Sequence, residues 1–189
     1  MVQTPIEPVL LADFIVLPET TPASEFINGQ IIQKPIPQGQ HSTLQGALTT
    51  RINAATQLQE IAWAFPELRC TFGGRSIVPD IAIFSWANIP KNKDRTVANQ
   101  FTQPPDWTIE ILIPGQSFTR VTSNIVHCLN YGTTLGWLID PSERIVLVFR
   151  PEQTPLSLEE GGDHIIVPTT FANQLQLTVE DLFGYLRVD

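Results

Sequence analysis

The sequence predicts a single α/β (α+β) domain, a mixed central sheet flanked by helices. Its 189 residues fit one domain, which at this length buries about 70% of its unfolded surface. Short β-branched and aromatic runs alternate with segments whose apolar residues recur at helical spacing. The 16 prolines cut the chain into short elements, and no internal repeat or low-complexity tract interrupts the pattern.

Residues 1–24 carry Pro5, Pro8, Pro18 and Pro22 and read as an irregular N-terminal arm, leaving residues 25–189 as the domain proper. From Glu25 to Ile36, Phe26-Ile27 and Ile31-Ile32 flank Asn28-Gly29, a dipeptide that favours the tight type I′ hairpin turn. Leu44, Leu48, Ile52 and Ala55 then follow at helical spacing, and His41 or Ser42 would open that helix. Ala62 to Phe65 and Leu68 to Phe72 read as strands. Gly73-Gly74 breaks the chain before the apolar run Ser76 to Phe84, whose composition suits a buried strand.

Asn88 to Gln103 is polar and reads as a loop. Trp107 to Ile113 is the next strand, stopped by Pro114-Gly115, and alternation puts Glu110 and Leu112 on one face. Ser117 to Asn130 reads as a helix with two stripes: Val121, Ile125 and Cys128 on one side, and Arg120, Asn124, His127 and Tyr131 on another. Leu135 to Asp140 and Ile145 to Phe149 are strands, and Ile165 to Val167 is a further candidate. Thr178-Val179-Glu180-Asp181 opens a last helix with a variant capping box, its Leu182, Phe183 and Leu186 facing the core.

Composition narrows the function. Apolar residues make up 42% and charged residues 16% of the chain, enough to exclude disorder and low enough in charge to allow an interface. Apolar runs fall far short of the ~20 residues that span a bilayer, and the N-terminus lacks a basic region ahead of an apolar one. The expected location is the cytoplasm. Cys70 and Cys128 form no CxxC pair and read as buried thiols. His41, His127 and His164 show no zinc spacing, and neither a GxSxG elbow nor a glycine-rich phosphate loop is present. The net charge of −8 removes the generic basic footprint of a nucleic-acid binder, although carboxylates that hold metal contribute to such a balance.

Two carboxylates call for explanation. Asp80 follows Pro79 at a strand start, and Glu110 stands in the middle of an otherwise apolar strand. An ionised carboxylate buried in a strand is costly unless it is paired or holds a metal. Glu110 therefore either pairs with Arg69 or Arg75 or acts with Asp80 on a divalent cation, which takes a few carboxylates plus water and substrate oxygens.

The order of these features resembles a known family. Gly29 after a hairpin, His41 before a helix, Ile77-Val78-Pro79-Asp80-Ile81-Ala82, Ile109-Glu110-Ile111-Leu112, Tyr131-Gly132 after a helix, and Gly136-Trp137-Leu138-Ile139-Asp140-Pro141 together resemble the Uma-type restriction endonuclease family, a branch of the PD-(D/E)xK nucleases. The resemblance covers roughly residues 20 to 187. It implies a restriction-endonuclease-like fold and cleavage of nucleic acid, DNA above all, with Mg²⁺ or Mn²⁺. Asp80 and Glu110 would be the metal ligands, and the carbonyl of Ile111 a further oxygen ligand. Glu25 and His41 match family positions whose ordinary readings are a solvated hairpin edge and a helix cap.

The chain departs from the family motif at its lysine. Position 112, two residues after the motif Glu, is Leu, and the helix position that carries the replacement lysine in the Uma-type family is His127. A histidine could stabilise a transferring phosphoryl group or orient the attacking water, with Arg120 and Asn124 of its stripe as neighbours. It could equally lie on an ordinary helix face. Three functions follow: a metal-dependent endonuclease; a degraded module of the same fold that binds nucleic acid or protein without cutting; and, less favoured, a hydrolase of small phosphoesters. Nuclease folds of this size often pair, so a symmetric homodimer is expected.

Overall fold

The computed structural model describes residues 9–161, 165 and 175–188. Two sheets are joined by the segment that carries Asp80, which runs from strand Arg75–Ile77 of one to strand Ile81–Ser85 of the other. Helix α1 (Leu11–Ile15) precedes strands β1 (Ser24–Ile27) and β2 (Gln30–Gln33), then helix α2 (Gly39–Thr56). Strands β3 (Ala62–Pro66), β4 (Cys70–Phe72), β5 (Arg75–Ile77), β6 (Ile81–Ser85) and β7 (Trp107–Ile111) follow. Helix α3 (Phe118–Asn130) leads to β8 (Leu135–Asp140), β9 (Ile145–Phe149) and β10 (Leu156–Glu159), and α4 (Val179–Gly184) closes the described chain.

The main sheet has the order β10-β9-β8-β7-β6-β3, and the smaller one β2-β1-β5-β4. Only β7 and β8 run parallel among the pairs of the main sheet, joined by the α3 crossover that parallel neighbours require. Mixed topology with helices on both faces is the architecture expected from the sequence.

Alternation along β7 sorts its residues between two cores. Trp107, Ile109 and Ile111 join Leu44, Leu48 and Ile52 of α2 and Leu182 and Phe183 of α4, all buried. Burying each such side chain stabilises the fold by about 1.5–3 kcal/mol. The opposite face takes α3: Leu112, Leu138 and Phe149 pack on Val121 and Ile125. Gly136 lets α3 approach closely, since a Cβ there would lie 2.4 Å from Cγ2 of Ile125.

Several expectations hold in detail. Asn28 and Gly29 adopt φ of 51° and 79°, as a type I′ turn demands, and set the register Phe26↔Ile31 and Glu25↔Ile32. Thr178 and Asp181 make both hydrogen bonds of the capping box. Others are corrected. Helix α2 starts at Gly39, with Gln38 at the N-cap position making no side-chain cap, rather than at His41 or Ser42, so His41 lies inside the first turn. The run Ser76 to Phe84 is two strands in two different sheets, split at Val78-Pro79-Asp80 because Pro79 has no N–H for a ladder. The arm includes α1, whose buried Phe14 sits 5.6 Å from the ring of Phe26. Strand β10 was not expected. The candidate strand Ile165 to Val167 and His164 lie outside the described residues, apart from Ile165 itself.

Candidate active site

The segment between β5 and β6 is held by side chains from three distant elements. Glu25 of β1 accepts the N–H of Val78 at 2.8 Å, and Gln45 of α2 donates to the carbonyl of Asp80 at 2.8 Å. Lys34, just past β2, donates to the carbonyl of Val78 at 2.7 Å. With its polar groups so occupied, the loop presents the carboxylate of Asp80, 2% exposed, at a fixed place.

Three groups converge on that carboxylate. The ammonium of Lys34 donates to Oδ1 at 2.6 Å, Nε2 of His41 lies 3.1 Å from Oδ2, and the N–H of Ile111 donates to Oδ2 at 2.7 Å. Burial pushes the pKa of Asp80 upward, but Lys34 and His41 outweigh it and hold the carboxyl well below the usual range. Asp80 is thus a fixed anion.

Glu110 is its opposite. Its Oε2 lies 3.9 Å from Nζ of Lys34, too long for a hydrogen bond, and its buried Oε1 has no hydrogen-bond partner. Burial raises its pKa well above the ordinary carboxylate value; Lys34 opposes that shift, while Asp80 and Glu25 add to it. The pairing with Arg69 or Arg75 is not made. Arg69 forks onto Glu19 at 2.9 and 2.6 Å, and Arg75 reaches Ser123 on α3. Lys34 is the cation in their stead.

Lys34 itself is buried to 13% side-chain exposure, and its three carboxylate neighbours overcome the burial that would discharge it, raising its pKa. It was absent from the sequence reading. A signal existed: the Asn28-Gly29 turn fixes Glu25 opposite Ile32, and Lys34, two residues on, lies on that same face. A backbone bond from Lys34 N–H to the carbonyl of Ala23 at 2.8 Å extends the hairpin that far.

The remaining predicted residues divide. Glu25 is buried, not a solvated edge, and its other oxygen accepts from Asn124 at 3.1 Å; burial raises its pKa. Asn124 and Arg120 line a narrow recess with Glu25, Lys34 and Glu110, so the start of α3 does reach the carboxylates. His127 does not. It lies one turn further along α3, with Nε2 3.2 Å from the carbonyl of Phe72 and its ring stacked on that of Phe72 at 4.9 Å. Burial lowers its pKa, which favours the neutral ring.

A wider cleft of about 320 Å³ opens over Asp80 and Lys34, walled by Thr20 to Ala23 of the arm, Pro35 to Pro37, His41 and Gln116. Among the described residues no three or more His, Cys, Asp and Glu side chains gather to cage a metal. The donors here are two carboxylates and backbone. In an extended strand the N–H and C=O of one residue point to the same side, and the N–H of Ile111 donates to Asp80, which makes its carbonyl the backbone candidate. That all-oxygen set, with the unpartnered Oε1 of Glu110, fits a hard divalent cation that keeps water and substrate ligands.

A mixed sheet flanked by helices, with an Asp at one strand start and a Glu in the adjoining strand, defines a restriction-endonuclease-like protein. The Uma2 family model, described as "Putative restriction endonuclease", matches residues 11–180, and the chain belongs to that family. A solved structure from Anabaena variabilis ATCC 29413, described as a putative nuclease belonging to DUF820, is similar to it at 52% identity with a TM-score of 0.94. The match covers 95% of this chain and 100% of that one. No curated protein matches the chain. The family and the solved neighbour support a nuclease function.

Proposed function

We propose that the protein is a metal-dependent endonuclease that hydrolyses phosphodiester bonds of DNA, with Asp80 and Glu110 as ligands of Mg²⁺ or Mn²⁺ and the carbonyl of Ile111 as a further one. The observation that carries this reading is the pair of buried carboxylates, on a strand start and its neighbouring strand, Asp80 lining the wide cleft and Glu110 the narrow recess, with Lys34 lining both. When bound, the cation supplies Lewis acidity toward the phosphoryl oxygens.

The chain's own residues do the rest. His41 and the N–H of Ile111 fix the orientation of Asp80, and Glu25 locks the Val78 turn that delivers it. Gln116 and the arm residues wall the cleft. The enzyme is proposed to act in the cytoplasm as a symmetric homodimer, checked by sedimentation; among the described residues no helix is long and apolar enough to cross a membrane.

The test is cleavage of supercoiled plasmid and of single-stranded DNA with Mg²⁺ and with Mn²⁺. Activity that needs metal and disappears in Asp80→Ala and Glu110→Ala supports the reading; a wild type inert on every substrate and metal sinks it. That second result would favour the degraded binding module, for which the net charge of −8 and Leu at position 112 speak.

A further inference from the structure

We propose that Lys34, delivered by the β1–β2 hairpin, is the catalytic lysine of this protein, engaging a non-bridging oxygen of the scissile phosphodiester beside Asp80 and Glu110. The proposal rests on the nuclease reading and adds a residue to it.

The site needs a cation and the two obvious sources fail. Position 112 is Leu, with 9% exposure in the pocket of Val121 and Ile125, and His127 is stacked on Phe72 with its Nε2 at the Phe72 carbonyl. Lys34 reaches the carboxylates from the other wall. Its Nζ lies 2.6 Å from Asp80 and 3.9 Å from Glu110, between the two groups proposed to hold the metal. The same side chain lines both the wide cleft, with Asp80, and the narrow recess, with Glu110. A phosphate entering the cleft toward the carboxylates therefore meets this ammonium.

Donor arithmetic leaves it free to act. An ammonium has three N–H groups, and Lys34 spends one on the carbonyl of Val78 and one on Asp80. The third remains for a phosphoryl oxygen. In the hydrolysis the oxygen of water bonds to phosphorus, the ester P–O bond breaks, and the water's protons pass to the leaving oxygen and to solvent. Lys34 keeps its protons throughout. It offsets the charge that develops on the phosphoryl oxygens, and preorganised donors of this kind contribute a factor of about 10²–10³ in rate. A structural counter-ion would sit in the same place, so the test must separate the two roles.

Single-turnover cleavage at saturating Mn²⁺ is compared for wild type, Lys34→Met and Lys34→Cys, the last before and after alkylation with 2-bromoethylamine. Both native cysteines are buried, so the reagent selects the introduced thiol and rebuilds an ammonium of nearly lysine length. Mn²⁺ affinity is measured by calorimetry and folding by circular dichroism on the same samples. The expected result is a rate lower by about 10²–10³ in Lys34→Met, with Mn²⁺ affinity kept and with activity regained at least in part on aminoethylation. Cleavage within threefold of wild type in Lys34→Met overturns the proposal. So does a loss that aminoethylation leaves unrepaired, or one that tracks lost Mn²⁺ binding, either of which makes Lys34 a counter-ion alone. Wild-type inactivity fails the nuclease reading and the lysine with it, whereas an active wild type indifferent to position 34 fails the lysine only.

Discussion

Two places along α3 show what one helix face can hold. Near its start, Asn124 and Arg120 look onto Glu25, Glu110 and Lys34, a cluster of charges kept out of water. One turn on, His127 stacks on Phe72 and Tyr131 meets it edge-on, with ring centroids 4.9 and 5.8 Å from that of Phe72. The rise of an α-helix, about 1.5 Å per residue, separates the two by only some 5 Å. The difference lies in what the small sheet places opposite: β1 and the end of β2 bring carboxylate and ammonium, whereas β4 brings Phe72. A helix stripe therefore states which residues share a side and leaves open what that side touches.

The contrast can be broken from the charged end first. Asp80→Ala or Glu110→Ala is expected to lower metal-dependent plasmid cleavage about 10³-fold or more, with far-ultraviolet circular dichroism unchanged. Cleavage near the wild-type rate in either variant would remove the carboxylates from the chemistry.

Next in size is the stability held in the ion pair. Lys34→Met leaves Asp80 buried with only His41 and the Ile111 N–H beside it, and is expected to cost about 3 kcal/mol in urea unfolding of the metal-free protein. Excess Mn²⁺, at about a hundred times its Kd, should return about 2.7 kcal/mol if it binds the folded state alone. A stability indifferent to both changes would mean that Asp80 is reached by water.

At the aromatic end the effects are smaller. Gly73 has φ of +57°, and a Cβ there would stand 2.3 Å from the Tyr131 ring, so Gly73→Ala is expected to cost about 1–3 kcal/mol through strain and displacement of that ring. Cleavage should stay within a few-fold of wild type in the same variant. His127→Phe should likewise leave cleavage within about twofold, because its ring touches Phe72 and Tyr131 rather than the carboxylates.

The smallest effect is one of pH. Burial holds the folded pKa of His127 below its unfolded value of 6.5, so below that pH the unfolded chain takes up a proton that the folded one resists. Stability drawn from this group is complete above the unfolded value and is lost as pH falls below it. Urea midpoints of His127→Phe should therefore decline less than those of wild type between pH 7 and pH 5; equal slopes would show a solvated ring.

The parts of the fold that were legible have local causes. The Asn28-Gly29 turn, the Thr178 to Asp181 cap and the spacing of Leu44, Leu48 and Ile52 each follow from backbone preference or from a helical period. The run Ser76 to Phe84 misled because β-branched residues favour any strand and do not say which sheet it joins. Only Pro79 hinted at the break; β5 joins its hairpin neighbour β4 and the distant β1, whereas β6 joins β3 and β7.

The site divides along the same line. Sequence alone singled out Glu110, since an acid inside an apolar strand is costly wherever the strand goes, and by its family resemblance paired it with Asp80. It also determined, through hairpin alternation, that Lys34 shares a face with Glu25. Which cation would answer the two acids was a tertiary decision. Arg69 and Arg75 are nearer to Asp80 in the chain, yet Lys34 is the one that reaches the Val78 turn, because β1 pairs with β5 and brings its hairpin beside that turn. Charge pairing in a folded chain depends on distance through space, and that distance is set by strand partnership rather than by position in the sequence.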